Sequence, residues 1–305
     1  MKTYLVVNPK SANGDTGKRW AEIQARLARS LGEVAFGFTE GPMHAAELAR
    51  RALKDGYDTV VAVGGDGTIN ETVNGFFEGG KAINPKAALG VLPRGTGGDF
   101  RRTFGWTDQV EQAVERLRRD ASQPFDVGLL EYTGHDGSKQ MRYFANICSF
   151  GVSGNIDVEV NKSTKALGGK LSFMLGSVKA LAKWSDKNVR LRLDGGAWQD
   201  VSVTTLAVAN GQYFGGGMKV APAADVADGV FDLTLWSNYK LSDFVLKQGA
   251  IYSGEHVNLK NTRCMKGKVV EAESQEEVLI DCDGEQPGKL PCKLTVLPAA
   301  IRIKA

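Results

Sequence analysis

Two kinds of segment in this chain have residue types suited to phosphate chemistry: glycine-rich loops bearing a hydroxyl or an acid, and short acidic turns. The loop with most to offer is Gly64-Gly65-Asp66-Gly67-Thr68-Ile69-Asn70-Glu71. Glycine lets a backbone approach a bulky anion, because no Cβ intervenes. The N–H groups that open a helix then point at that anion, aided by the helix dipole. Asp66 adds a carboxylate where phosphates are expected. Two negative groups repel, so this acid implies a metal ion or a donated hydroxyl between them. The arrangement suggests a nucleoside triphosphate site. A tight strand–helix turn with an Asx cap would use some of the same residues.

Asn8-Pro9-Lys10-Ser11-Ala12-Asn13-Gly14 is a second loop of this kind, with the Ser11 hydroxyl, backbone N–H groups and the Lys10 charge to offer phosphates. Pro93-Arg94-Gly95-Thr96-Gly97-Gly98-Asp99-Phe100 is a third. Arg101 and Arg102 follow it and read as solvated helix residues. Asp225-Val226-Ala227-Asp228-Gly229-Val230-Phe231-Asp232 is oxygen-rich and tightly turned, which suits a hard cation such as Mg2+; it also reads as a hairpin with Asp-Gly at its apex. Asp281-Cys282-Asp283-Gly284-Glu285 closes the series as an acidic turn.

Positioning these loops needs strands that end where each loop begins. Tyr4–Val7, Val34–Phe38, Thr59–Val63 and Ala87–Leu92 are short apolar runs that read as buried strands. Helical patterns follow them: Trp20, Ile23, Leu27 and Leu31; Met43–Leu53; Ile69, Val73 and Phe76; Val110–Leu117. Alternating strands and helices imply a parallel sheet with helices on both faces. Ligands of such sheets sit beyond the carboxyl ends of the strands, and each glycine loop follows a strand. After Gln123 the pattern becomes short strands with hairpin turns, as expected of an antiparallel sandwich. The expected division is residues 1–124, with 292–305 returning to that domain, and residues 125–291. One helical region, Gly154–Trp184, carries Leu171, Phe173, Met174, Leu175, Val178, Leu181 and Trp184 among lysines 162, 165, 170, 179, 183 and 187. It fits a helix packed on the sandwich with its lysines in water, ahead of a basic amphipathic helix on an anionic membrane.

The 305 residues, 42% hydrophobic and 24% charged, are an ordinary globular balance with enough apolar content for a sizeable core. A net charge of +3 is no nucleic-acid footprint. The start, Met1–Lys10, lacks the apolar and cleavage regions of a secretory signal, and no run is long enough to span a bilayer. A cytoplasmic protein with peripheral membrane contact is expected. The four cysteines show no metal spacing, and with three histidines no histidine metal cage is expected.

The string Gly64–Glu71 resembles the nucleotide motif of the diacylglycerol kinase and sphingosine kinase superfamily; NAD kinases and phosphofructokinases carry related loops. Asn8–Gly14 resembles the same superfamily's NPxSG opening, with Ala12 where Gly is usual. Pro93–Phe100 resembles its P-x-G-T-x-N-D-F segment, with Gly98 in place of Asn. Gly216–Asp232 resembles a GGMxxAP…DGxxD segment that holds a structural Mg2+, with Ala227 where another Asp is frequent. Asp283-Gly284-Glu285 resembles its catalytic DGE. The resemblance covers nearly the whole chain, with the motifs in family order.

It implies a doubly wound, Rossmann-like α/β domain of the phosphofructokinase and NAD kinase kind, followed by an antiparallel β-sandwich, with the active site in the cleft between them. It implies an ATP-dependent lipid kinase of the soluble bacterial type. Nucleotide contacts would come from Asn8, Pro9, Lys10, Ser11 and Ala12, from Thr39, from Gly64, Gly65, Asp66, Gly67, Thr68, Ile69, Asn70 and Glu71, and from Gly95, Thr96 and Asp99. Asp225, Asp228 and the Val230 carbonyl would hold Mg2+. Asp66 would serve transfer, and Glu285 or Asp283 would accept the acceptor's proton, since a lipid hydroxyl is a poor nucleophile. The lipid is open among diacylglycerol, a sphingoid base, ceramide and a phospholipid headgroup, as is a homodimer. An NAD kinase-like enzyme and a non-catalytic nucleotide- or lipid-binding pseudokinase are the alternatives.

Overall fold

The computed structural model describes residues 2–162 and 169–305. The chain forms two units, Met1–Val127 with Pro298–Ala305, and Gly128–Leu297. The first boundary follows the expected one by a few residues, and the return begins at 298 rather than 292. Both shifts have one cause: β7 (Gln123–Gly134) and β17 (Glu285–Ile303) are long strands that run through the boundary without a break.

Unit 1 contains, in chain order, β1 (Thr3–Val7), α1 (Asp15–Lys18), α2 (Trp20–Leu31), β2 (Ala35–Phe38), α3 (His44–Lys54), β3 (Thr59–Gly64), α4 (Asp66–Asn74), the small hairpin β4 (Phe77–Glu78) and β5 (Lys81–Ala82), β6 (Ala88–Pro93), α5 (Asp99–Thr103) and α6 (Val110–Arg118). The end of β17 joins β6, β3, β1 and β2, in that order, as a parallel sheet. β3 and β6 are buried along their whole length, which is why they are unbroken apolar runs rather than alternating ones. Trp20, Ile23 and Leu27 of α2 and Ala113, Val114 and Leu117 of α6 pack with Leu5, Val7, Val61, Val63 and Leu92. α3 and α4 approach so closely that a Cβ on Gly75 would lie 2.4 Å from the Ala46 carbonyl oxygen.

Register decides where the loops leave this sheet. Val7 lies opposite Phe38 on one side and Val63 on the other, and Gly64 lies opposite Pro93. The four strands therefore end at one level, and the three glycine loops and Thr39 emerge together.

Unit 2 is antiparallel. Its strands are most of β7, then β8 (Lys139–Phe144), β9 (Ile147–Gly151), β10 (Lys187–Leu193), β11 (Gln199–Val203), β12 (Thr205–Ala209), β13 (Phe231–Trp236), β14 (Thr262–Gly267), β15 (Val269–Glu273), β16 (Leu279–Cys282) and the first part of β17. Leu130, Phe144, Phe150, Val208, Phe231, Val270, Ile280 and Leu294 are buried in its core, as are the thiols of Cys148, Cys282 and Cys292.

The helical region expected as one piece at Gly154–Trp184 is two helices, α7 (Val152–Lys162) and α8 (Gly169–Lys183). The placement of Leu171, Phe173, Met174 and Leu175, and of Lys162, Lys165 and Lys170, lies outside the described side chains. Ala180 and Leu181 pack inward with Val152 and Ile156, and Lys179 and Lys183 are exposed. α9 (Leu241–Leu246) and α10 (Gln248–Ser253) complete the unit. No helix among the described residues is long and apolar enough to cross a membrane.

Candidate functional site

The first candidate group is the loop cluster of unit 1. The Asn8 amide donates to Thr68 Oγ1 at 3.0 Å, tying the first loop to the second. The same side chain accepts the Lys10 N–H at 3.0 Å through its carbonyl oxygen. The Ser11 hydroxyl donates to the Asn8 carbonyl and lies 2.7 Å from Thr16 Oγ1. Pro9 meets Gly17, where a Cβ would lie 2.9 Å from the Pro9 carbonyl oxygen. Thr39 N–H donates to Val7 O at 2.8 Å, which sets Thr39 beside the start of the first loop. Arg94, nearly buried, reaches back from the third loop to pair with Asp15. Its backbone N–H donates to Gly64 O at 2.7 Å.

The glycines serve loop packing as much as ligand access. A Cβ on Gly95 would lie 2.5 Å from the Gly65 Cα, and one on Gly64 would lie 2.4 Å from Thr68 Oγ1. A Cβ on Gly97 would stand 2.9 Å from Asp66 Oδ2. Gly67, in the first turn of α4, has nothing within 4 Å of that position. It is the glycine of the string with open space beside it, where first-turn N–H groups lack partners inside the helix.

Asp66 differs from its expected setting. Its Oδ2 accepts the N–H groups of Gly98 at 2.8 Å and Asp99 at 3.3 Å, and its Oδ1 accepts that of Phe100 at 3.1 Å. The carboxylate thus closes the N-terminus of α5, and backbone amides already supply the positive partner for which a metal or hydroxyl seemed necessary. Asp99 is buried and pairs with Arg102 at 2.8 Å, so Arg102 is not merely solvated. Arg101 likewise donates to the Trp106 carbonyl at 3.0 Å. Thr96 is exposed. Ile69 and Asn70 are buried, and Glu71 accepts the Ala45 N–H at 3.2 Å to cap α3. The side chains of these last three residues are committed to the fold, which leaves the backbone and Thr68 to face a ligand.

Two departures from the motif have backbone explanations. Gly98 has φ +67°, a left-handed conformation that Gly and Asn both adopt readily. Gly at this position therefore keeps the turn while losing an amide side chain. Ala12 has φ +50°, where glycine would be unstrained.

A second candidate group is the acidic turn of unit 2. β16 and β17 form a hairpin in which Cys282 lies opposite Glu285, leaving Asp283-Gly284 as a two-residue connection with φ +52° and +86°. Positive φ at both positions is the type I′ turn that Asp-Gly favours. Asp283 and Glu285 therefore do not share an extended face, as simple alternation would have them. The Asp283 carboxylate accepts the N–H groups of Ala145 at 2.9 Å, Asn146 at 3.1 Å and Ile147 at 2.9 Å. It is a backbone anchor. Glu285 is exposed at the head of β17.

The Asp225–Asp232 stretch does not fit a divalent cation as arranged. Asp225 Oδ1 accepts the Ala227 N–H at 3.0 Å, and Asp228 Oδ1 accepts the Val230 N–H at 3.1 Å. Lys266, opposite Asp232 on β14, pairs with Asp232 at 2.9 Å and Asp228 at 3.3 Å. A lysine ammonium thus sits between two acids of this stretch. No cluster of three or more His, Cys, Asp or Glu able to hold a metal occurs among the described residues. Asp225, Asp228 and Val230, the expected Mg2+ set, lie on this one turn, and Lys266 pairs with Asp228 beside it.

Sequence reasoning missed Arg94 with Asp15 and Thr16, Lys266, and a buried pair, Asp157 and Asp281. Asp281 had a visible signal, an acid inside the apolar run Val278-Leu279-Ile280 and Cys282. The others become partners only through folding.

A parallel α/β unit with glycine loops gathered at its strand ends, followed by an antiparallel sandwich with an acidic hairpin, is the fold of a kinase class that includes NAD kinases. An NAD kinase of Archaeoglobus fulgidus solved with ATP shares it at TM-score 0.51 and 15% identity, over 99% of this chain and 92% of that one. A diacylglycerol kinase structure from Bacillus anthracis superposes at TM-score 0.72 and 22% identity, over 99% and 96% of the two chains. Residues 2–130 match the diacylglycerol kinase catalytic domain, and residues 146–305 match the YegS C-terminal NAD kinase beta sandwich-like domain. The second match spans more than half of the chain, which belongs to that domain family, and the first match, with relatives named as kinases, supports a kinase. It is 27% identical to a diacylglycerol kinase of Bacillus subtilis over 95% of this chain and 91% of that protein. It is 26% identical to the Staphylococcus carnosus diacylglycerol kinase over 99% and 94%.

Proposed function

We propose that this protein transfers the γ-phosphate of ATP to a lipid hydroxyl, with diacylglycerol or a related lipid as acceptor. The observation that carries this reading is the division of labour in the acidic hairpin. Asp283 is consumed by three backbone N–H groups, while Glu285, two residues on, is exposed. An exposed carboxylate on a rigid hairpin suits a general base for an alcohol. The loops of unit 1 suit the nucleotide: Gly67 and the opening N–H groups of α4 face the phosphates, Lys10 and Ser11 approach from the first loop, and Thr39 and Thr96 flank them. The cation that accompanies ATP would screen the charge of the transferring phosphoryl group. The fold likeness to NAD kinases supports a second reading, with NAD as acceptor.

Purified protein is incubated with labelled ATP and either a total lipid extract or NAD, and products are identified by mass. Label in a phosphorylated lipid is expected. Label in NADP would move the acceptor to the second reading. ATP binding without transfer to either would make the chain a pseudokinase. Glu285→Gln should lower lipid phosphorylation by about 10²–10⁴-fold with ATP affinity retained. Turnover within a few-fold of wild type would remove the base from Glu285.

A further inference from the structure

Beneath the Asp283-Gly284 turn, unit 2 buries two carboxyl groups that the reading above does not use. Asp281 on β16 and Asp157 on α7 are 6% and 8% exposed, on elements that pack together, and their carboxyls are close enough to influence each other's protonation. Asp281 has donors of its own: the Ser149 hydroxyl at 2.9 Å, and the Gly284 N–H at 2.8 Å. Ser149 Oγ lies 2.9 Å from Ser153 Oγ, which extends the chain toward α7. Asp157 Oδ2 has no hydrogen-bond partner.

Two carboxylates in contact away from water cannot both stay ionised. The donors decide where the charge rests. Asp281, with a hydroxyl and an amide pointing at it, is the better anion. Asp157, lacking such donors, is the better acid, and its proton completes a hydrogen bond between them. We propose that Asp157 and Asp281 share one proton at neutral pH, and that this protonated pair holds the turn carrying Glu285, so that both act as positioning residues for the acceptor end of the reaction. The proposal rests on the kinase reading for its catalytic consequence alone; the shared proton stands apart from it.

The link to the turn is direct, since Asp281 accepts the N–H of Gly284, between Asp283 and Glu285. Burial pushes Asp281 up to about 6 and Asp157 well above the usual carboxylate range, with repulsion between the two adding to the second shift. Among the described side chains, charged groups on the surrounding elements include Asp283 and Glu285 of the hairpin, Glu159 on α7, and Lys179 and Lys183 on α8; the thiols of Cys148 and Cys282 lie nearby. The acids nearest the pair raise its proton affinity further.

The sign of the pH dependence follows. A carboxyl whose proton affinity is raised by folding contributes its full stability below its unfolded pKa and loses it as pH rises through the folded value. Asp157→Asn keeps an N–H donor toward Asp281 and cannot ionise. Melting temperatures of the wild type and Asp157→Asn are measured from pH 5 to pH 9. The expected result is a difference that moves in favour of the variant as pH rises. Under the same conditions, kcat for lipid phosphorylation should show an alkaline limb in the wild type, falling about tenfold per pH unit, that Asp157→Asn lacks. Infrared spectra of the unmodified protein at pH 7 should show the carbonyl band of a protonated buried carboxyl. Parallel melting curves across pH, or absence of that band, would overturn the shared proton. An alkaline limb common to both proteins would overturn the positioning role. If no acceptor is phosphorylated, the kinase reading fails while melting and infrared data still judge the pair.

Discussion

Asp66 Oδ2 lies 2.8 Å from the backbone nitrogen of Gly98, so an acid of one glycine loop holds the peptide backbone of the next. The same carboxylate reaches Asp99 and Phe100 N–H. The two loops leave neighbouring strands at the same level, where Gly64 lies opposite Pro93. One side chain can therefore bridge them.

Asp66→Ala removes an acceptor from three backbone donors at the start of α5. Leaving buried donors unsatisfied costs about 1–3 kcal/mol. The variant should fold, melt lower and lose phosphoryl transfer. Asp66→Asn, which keeps one acceptor oxygen, should recover part of the stability. Denaturant unfolding and turnover of both variants check this, and wild-type stability for Asp66→Ala would refute the bridging role.

At the other acidic site, Asp283→Ala strips three N–H groups of their charged acceptor. Hydrogen bonds to charged groups contribute about 1.5–3 kcal/mol each at most, and not additively. A loss of stability together with turnover is expected, because the hairpin that carries Glu285 loosens. Asp283→Asn should be milder, since Asn tolerates the left-handed backbone at φ +52°. Comparing unfolding free energies of Asp283→Ala and Glu285→Gln separates anchor from base: the second should be near wild type.

Ala12→Gly should stabilise. A left-handed backbone costs a non-glycine residue about 1–2 kcal/mol, and Ala12 sits at φ +50°. Glycine's greater freedom in the unfolded chain returns about 0.5–1 kcal/mol of that. The net gain expected is between zero and about 1.5 kcal/mol, read from the denaturation midpoint at unchanged slope. A lower midpoint would show that the methyl group makes a contact that outweighs the strain.

Lys266 supplies the positive charge of the Asp228–Asp232 turn. Two observations pull on Asp232 in opposite directions: burial pushes its carboxyl up, and Lys266 pulls it down, with burial the larger. The pairing is the firmer fact, because the two residues are register partners across β13 and β14. Millimolar Mg2+ should leave the wild-type melting temperature unchanged. Lys266→Met should melt lower and regain several degrees with Mg2+, because a ligand that binds only the folded state stabilises it. A wild-type rise with Mg2+ would restore Asp225, Asp228 and Val230 as metal ligands.

Much of this protein was legible in its residues because local patterns carried it. Unbroken apolar runs such as Thr59–Val63 marked buried parallel strands, glycine strings marked the turns after them, and Asp-Gly pairs marked hairpins. Motif order then pointed to the kinase fold. Partner choice was not legible, because it depends on register between distant segments. Nothing near Asp66 in the chain names Gly98 as its partner; the level at which β3 and β6 end does. Asp283 and Glu285, two apart, read as equivalents sharing a face. A left-handed turn made one of them an anchor and left the other exposed. Lys266 reached the acids around Asp228 only because β14 pairs with β13. Asp157 and Asp281 became a pair only when α7 packed on β16, where burial turned two ordinary acids into one site for a proton.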